Sequence, residues 1–454
     1  MQAKADTLAA LRRGDLAGAR ELRLPGGLAE FPREIFGLAD TLEVLDLGPG
    51  SLTDLPADLG RLARLRVLFG SGNRFARLPP ALGDCAALSQ IGCRGSGIAE
   101  VPAESLPPRL RWLTLTDNRI AALPRAIGER PLLRKLMLSG NRLAALPESL
   151  AGAPDLELLR IAANRLDTLP GWIAALPALA WLACAGNPCE PASAAGSATR
   201  VPWSAIETGA LLGEGASGRV HAALWRRDDD RDGAGRAVAL KLFKGAMTSD
   251  GLPEREMTAC LTAGAHPHLS GGLGRVVGHP EGLEGLLMPL LPAGWRALAG
   301  PPSLASCSRD IYAPGLALAP AVGLRLARAA VAGTAHLHAG GLIHGDIYAH
   351  NLLWDGTSGD AVLSDFGAAS VLPAGAAGEA LQRIETRALG ILLDEILDRC
   401  RPAPPAVAEL RALAQACRQP DPAGRPRAAE LLGALDRAMS QAEPDAEPDT
   451  AAGR

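Results

Sequence analysis

Seven apolar-proline pairs set the frame of this chain. They are Phe31-Pro32, Leu55-Pro56, Leu78-Pro79, Val101-Pro102, Leu123-Pro124, Leu146-Pro147 and Leu169-Pro170, spaced by 24, 23, 23, 22, 23 and 23 residues. A unit that short cannot bury an apolar face alone, so successive units must stack into a curved solenoid with one continuous core. Six residues before the proline stands Asn73, Asn118, Asn141 or Asn164, and Asn187 closes the series. The spacing predicts a short strand in each unit whose leucine pair points inward, with the asparagine amide satisfying backbone groups at the turn between units. Gly26, Gly50 and Ser96 replace asparagine in three units, so the first half is less regular. Residues 1–19 are predicted to form a capping helix.

Leu133 to Pro147 spells the unit in full as L-x-x-L-x-L-x-x-N-x-L-x-x-L-P. This pattern, over residues 20–190, resembles the leucine-rich repeat family. Side chains alternate along a strand, so the residues flanking the buried pair face the concave surface. That row holds Phe69, Gln90, Arg94, Trp112, Thr114, Lys135, Met137, Leu158, Arg160 and Trp181. Aromatic and methionine side chains beside arginine and lysine resemble a protein-binding surface. Phe69, Trp112, Lys135, Met137, Arg160 and Trp181 are therefore the candidate partner-binding residues. The plainer reading is that Trp112 and Trp181 pack on neighbouring repeats.

Composition narrows the rest. A net charge of −3 over 454 residues gives no footprint for bulk nucleic-acid binding. No apolar run approaches the roughly 18 residues that span a membrane, and the first residues lack a signal-peptide core. The expected place is the cytoplasm, with no membrane partner. The eight cysteines form no Cys-x-x-Cys pair, and the register puts Cys93 and Cys184 where other units bury leucine or isoleucine. Only four lysines (4, 135, 241, 244) stand against forty-two arginines, so each lysine is informative.

Residues 191–204 read as a linker between an array over 1–190 and a second domain over 205–440. Gly213-Glu214-Gly215-Ala216-Ser217-Gly218-Arg219-Val220 is a glycine-rich turn followed by a strand, Val220 to Trp225, rather than by a helix. It suits a β-flap over phosphates. An acidic loop over 228–233 leads to Ala237-Val238-Ala239-Leu240-Lys241. Further on, Asp346 and Asn351 lie five residues apart, and Ser364-Asp365-Phe366-Gly367 follows. Two acids and an amide of this kind suit holding magnesium against a polyphosphate while one acid orients a hydroxyl.

Together with Asp421-Pro422-Ala423-Gly424-Arg425-Pro426, these motifs resemble the eukaryotic-type protein kinase family across about 220 residues. The fold implied is an α/β leucine-rich repeat solenoid followed by an α+β two-lobed protein-kinase-like domain. The resemblance assigns Lys241 to the α- and β-phosphates. It makes Glu256, on a helix over 253–263, the partner of Lys241, and Asp346 the catalytic base. Asn351 and Asp365 become the magnesium ligands. Gly213, Gly215, Gly218, Val220, Met288 and Leu291 would enclose ATP, with Met288 as gatekeeper.

Several positions depart from that family. Gly345 stands where an arginine is usual and Tyr348 where serine/threonine kinases carry a lysine, so a fixed positive charge is missing; Tyr348 or His350 is left as a hydrogen-bond donor. The stretch from Gly367 to a helix over 384–397 is about half the usual length, with Ser370 its only hydroxyl residue, so phosphorylation there should not be the switch. Arg425 lacks its usual partner, with Glu379 or Glu385 as candidates. The expected function is transfer of the γ-phosphoryl of Mg-ATP to a protein serine or threonine, with the repeats recruiting substrate or partner. The alternatives are a pseudokinase scaffold and, behind it, a small-molecule phosphotransferase. Residues 441–454 form an acidic tail without apolar pattern, expected to be disordered.

Overall fold

In the computed structural model the described residues are 2–191, 199–227, 235–245, 247–248, 250–404 and 406–442. Much of the expected linker, the acidic loop over 228–233 and nearly all of the acidic tail lie outside them. Helix α1 (Gln2–Arg13) precedes eight three-residue strands in one parallel sheet: β1 (Glu21–Arg23), β2 (Val44–Asp46), β3 (Val67–Phe69), β4 (Gln90–Gly92), β5 (Trp112–Thr114), β6 (Lys135–Met137), β7 (Leu158–Arg160) and β8 (Trp181–Ala183). Their central residues, Leu22 through Leu182, are buried in one apolar column.

The prolines of the period start the return turns. Pro32, Pro79, Pro102, Pro124, Pro147 and Pro170 each precede a short 3-10 turn with φ between −57 and −69°, the value their rings impose anyway. The asparagines link successive turns. The Asn118 amide donates to Cys93 and Leu115 carbonyls at 2.9 Å, while its oxygen accepts from the Ser96 and Ile98 amides at 3.1 and 3.0 Å. Groups buried there would otherwise go unpaired at a cost of about 1–3 kcal/mol each. Cys93 and Cys184 are buried in this core, as their register predicts, and burial pushes both thiols up to about 12.

Part of the expected linker is a strand. Strand β9 (Arg200–Pro202) pairs in parallel with β13 (Gly274–Val277), at the edge of a six-stranded sheet. That sheet also holds β10 (Ile206–Glu214), β11 (Gly218–Trp225), β12 (Arg236–Phe243) and β14 (Gly285–Pro289) in the order β10-β11-β12-β14-β13-β9. Helix α2 (Pro253–Ala263) occupies the predicted span. A larger helical lobe follows, with α3 (Pro320–Ala339), α4 (Ala376–Leu397), α5 (Val407–Cys417) and α6 (Ala428–Ala442). Helix α4 begins eight residues earlier than the apolar pattern predicts, directly after Gly375 at φ 74°. Its first turns are alanine- and glycine-rich, which hid them from an apolar periodicity.

The two domains share their cores. Leu158, Ala180 and Trp181 of the solenoid belong to one buried cluster with Ile347, Tyr348 and Phe366 of the helical lobe. Conversely, Ile343, Leu372, Leu381 and Ile384 pack into the solenoid's own leucine column. Interfaces of this apolar, interdigitated kind hold domains in a fixed relation.

Candidate active site

Strands β10 and β11 form an antiparallel hairpin, and the Gly215 amide closes its tip on the Gly218 carbonyl at 2.9 Å. A Cβ at Gly218 would come within 2.4 Å of the Leu242 carbonyl oxygen, so only glycine lets the flap lie this close to β12. Beneath it opens a cavity of about 640 Å³, walled by Gly213, Gly215, Gly218, Val220, Ala239, Lys241, Met288, Leu291 and Asp365. Every residue expected to enclose the nucleotide borders this space.

Lys241 reaches from β12 to Glu256 on α2, and the two side chains form an ion pair, 12 and 4 % exposed. Burial disfavours the lysine's charge, but the Glu256 carboxylate and its hydrogen bond outweigh that, so Lys241 titrates above the ordinary lysine value. A cation held in place at the back of an enclosed cavity suits phosphate oxygens.

The loop carrying Asp346 runs from β16 (Leu342–Ile343) to β17 (Leu352–Trp354); β17 pairs with β15 (Arg296–Ala297) and β18 (Ala361–Leu363), and β16 pairs with β19 (Ser370–Val371). Glu385, on α4, holds the start of the loop by accepting the Gly345 amide at 2.6 Å and the His344 amide at 3.2 Å. Asn351 donates to the Asp346 backbone oxygen and to its Oδ2, both at 2.9 Å. With its nitrogen so used, Asn351 has its amide oxygen left as a ligand atom, and neither it nor Asp346 is among the residues that wall the cavity. Asp365, exposed and at φ 64°, borders the cavity while Phe366 beside it is buried against His344. An amide oxygen and a carboxylate are the hard donors magnesium takes, so these two residues fit that ion.

The other oxygen of Asp346 is met from outside the domain. Arg160, on the concave face of the solenoid, forms an ion pair with it; the Arg160 Nη1 donates to the Gly345 carbonyl at 2.8 Å, and its Nε lies 2.9 Å from Asp250 Oδ1. Burial alone would raise the Asp346 carboxyl, but the charges of Arg160, His350 and His344 together hold it below the ordinary value. The ring of Trp181 stacks on Tyr348 at 4.2 Å, and its indole nitrogen donates to the Ile347 carbonyl at 2.9 Å.

The concave row therefore does not present a free surface over its middle and end. Lys135, Arg160 and Trp181 are buried, Met137 packs against the helical lobe, and the Gln90 amide donates to the Leu304 carbonyl at 2.7 Å. Arg94 bonds to the Met247 carbonyl, while Lys135 lies over the Trp112 ring at 4.5 Å. Phe69 is half-buried nearer the open end, where Glu21 and Arg23 are exposed.

Other expectations change. Neither Tyr348 nor His350 borders the glycine-roofed cavity: Tyr348 lies under Trp181, and His350 is tied to Asp310 through Nδ1 at 2.8 Å. Among the described residues Arg425 meets no carboxylate; its guanidinium is spent on the carbonyls of Gln419, Arg383 and Pro177. Glu379 pairs with Arg427, and Glu385 holds the loop that carries Asp346. Ser370 is buried and accepts the Cys184 amide at 3.1 Å. Sequence reasoning left out Asp250 and Asp310. A hint lay in the loop itself, where a glycine and a tyrosine replace two cations while the repeats offer an arginine.

Comparison with known proteins agrees with these two halves. Residues 108–166 match the family described as leucine rich repeat, and residues 206–383 match protein tyrosine and serine/threonine kinase. Among solved structures, a leucine-rich repeat protein of Leptospira interrogans is similar at 24 % identity, with a TM-score of 0.31, over 38 % of this chain and 50 % of that one. The match thus spans half of that protein's length. No curated protein matches the chain. The chain thus carries a leucine rich repeat segment followed by a domain of the protein tyrosine and serine/threonine kinase family.

Proposed function

We propose that the second domain transfers the γ-phosphoryl of Mg-ATP to a serine or threonine hydroxyl of a protein. The observation that carries this reading is the Lys241–Glu256 pair at the back of a glycine-roofed cavity whose rim also holds Asp365. Lys241 would hold phosphate oxygens, and backbone groups at Met288 to Leu291 would meet the base. Asn351 and Asp365 would hold magnesium, which neutralises charge on the phosphates. Asp346 receives the proton as the acceptor O–H bond breaks and that oxygen bonds to the γ-phosphorus. The bond from phosphorus to the β–γ bridging oxygen breaks, and ADP keeps its electron pair. Positioning and charge neutralisation suffice for such a transfer. The uncovered part of the solenoid, including Phe69, would recruit the substrate or a partner in the cytoplasm. No described helix is long and apolar enough to cross a membrane.

One observation favours a second reading, a nucleotide-binding scaffold: both oxygens of Asp346 already have protein partners. Turnover of γ-labelled Mg-ATP by the intact chain and by Asp346→Asn separates the two. Label on protein that disappears in the variant supports transfer. Nucleotide-induced thermal stabilisation without label from either form supports the scaffold.

A further inference from the structure

The loop from His344 to Leu353 contains no lysine or arginine, yet it carries the carboxylate that must stay ionised beside a polyphosphate. The cation it meets comes from the repeats. Arg160 is only 2 % exposed and places three nitrogens on three separate groups of the other domain: Asp346, the Gly345 carbonyl and Asp250. Asp250 in turn borders the nucleotide cavity.

We propose that Arg160 is a positioning residue of the phosphotransfer site, and that the solenoid is a permanent wall of that site which brings in the cation the loop lacks. The proposal rests on the phosphotransfer reading above. With Arg160 on one oxygen and Asn351 on the other, the Asp346 carboxylate has a single orientation. A carboxylate has about four lone-pair positions, so two such partners leave room for the acceptor hydroxyl. The Asp346 side chain keeps 16 % of its surface accessible, and that is where the hydroxyl must approach.

The alternative is a lid that covers the base and lifts away. Three observations oppose it. A Cβ at position 345 would lie 2.5 Å from the Leu182 carbonyl oxygen as well as from that of Ala368, so a side chain there is incompatible with strand β8 in its place. Tyr348 presents a ring to Trp181 at an interplanar angle of 6°. Lifting the solenoid would also strip Arg160 of its partners and expose Leu158 and Trp181. The two departures in the loop thus follow from docking, and the charge they remove is returned by Arg160.

The test uses the intact chain, γ-labelled Mg-ATP, and a mixed serine/threonine peptide pool as acceptor. Arg160→Gln keeps much of the bulk without the charge, and Arg160→Lys restores a point charge. The expected result is a fall in kcat of about 100-fold or more for Arg160→Gln. Its KM for ATP and nucleotide-induced thermal shift should be retained, and Arg160→Lys should recover at least about tenfold of the loss. If Arg160→Gln does not fold, the Arg160→Gln/Asp250→Asn pair removes the buried charges together and should show the same kcat loss. Turnover by Arg160→Gln equal to or above wild type would establish a lid and overturn the proposal. A Lys variant as slow as the Gln variant would reduce Arg160 to packing and overturn it too. If the wild-type chain gives no turnover that Asp346→Asn removes, the phosphotransfer reading itself falls, and this proposal with it.

Discussion

Gly345 shows how a single residue decides what the molecule can be. Its φ is 77°, and a Cβ would meet the Leu182 and Ala368 carbonyl oxygens at 2.5 Å each. Both backbone strain and the clash oppose any side chain there. Gly345→Ala should lower stability by about 1–3 kcal/mol, read as a fall in the urea midpoint, and an unchanged midpoint would remove the close approach from the account. Trp181 is the matching residue on the solenoid. Trp181→Ala should cost about 3–5 kcal/mol, as truncations of buried tryptophan do, whereas an exposed partner-binding tryptophan would cost little. Glu395 gives a pH dependence. Burial, opposed by the hydrogen bond from Tyr312, pushes its carboxyl up to about 7. A raised value means the folded chain binds this proton more tightly than the unfolded one. Its stabilising contribution is complete below the ordinary glutamate range and lost as pH rises through about 7. Glu395→Gln should flatten that decline and be more stable than wild type at pH 8 by on the order of 2 kcal/mol. Parallel pH profiles would contradict the assignment.

At the scale of elements, the repeats are held by their asparagine ladder as much as by their leucines. Asn141 donates to the Leu115 and Leu138 carbonyls at 2.9 and 2.8 Å and accepts the Ile120 amide at 3.0 Å. Asn141→Ala should therefore cost on the order of 2–3 kcal/mol, since it orphans buried backbone groups; guanidinium denaturation measures it, and a loss below 0.5 kcal/mol would contradict the ladder's importance. These elements were legible in the sequence because their information is local. A leucine spacing, a proline with a fixed φ and a glycine hairpin each specify their own conformation within a few residues. Helix α2 and the hairpin β10–β11 fell where the pattern put them. The start of α4 did not, because Ala376, Ala377 and Gly378 carry no apolar rhythm. Strand β9 was hidden for a related reason: three residues that pair with a segment more than seventy positions away look like linker.

At the scale of the whole molecule, local patterns were silent on the decisive contact. Arg160, Trp181 and Lys135 read as an exposed row because nothing in a repeat says what covers its concave face. Gly345 and Tyr348 read as losses because the cation and the ring that answer them lie about 170 to 190 positions earlier. Both domains contribute to each other's core, so neither is complete alone. The central claim is that solenoid and kinase domain form one folded body with the Asp346 loop at their junction. Differential scanning calorimetry of the intact chain tests it most directly. One cooperative transition, moved as a whole to higher temperature by Mg-ATP and to lower temperature by Trp181→Ala, is the predicted result. Two separable transitions, with only the second responding to nucleotide, would contradict it.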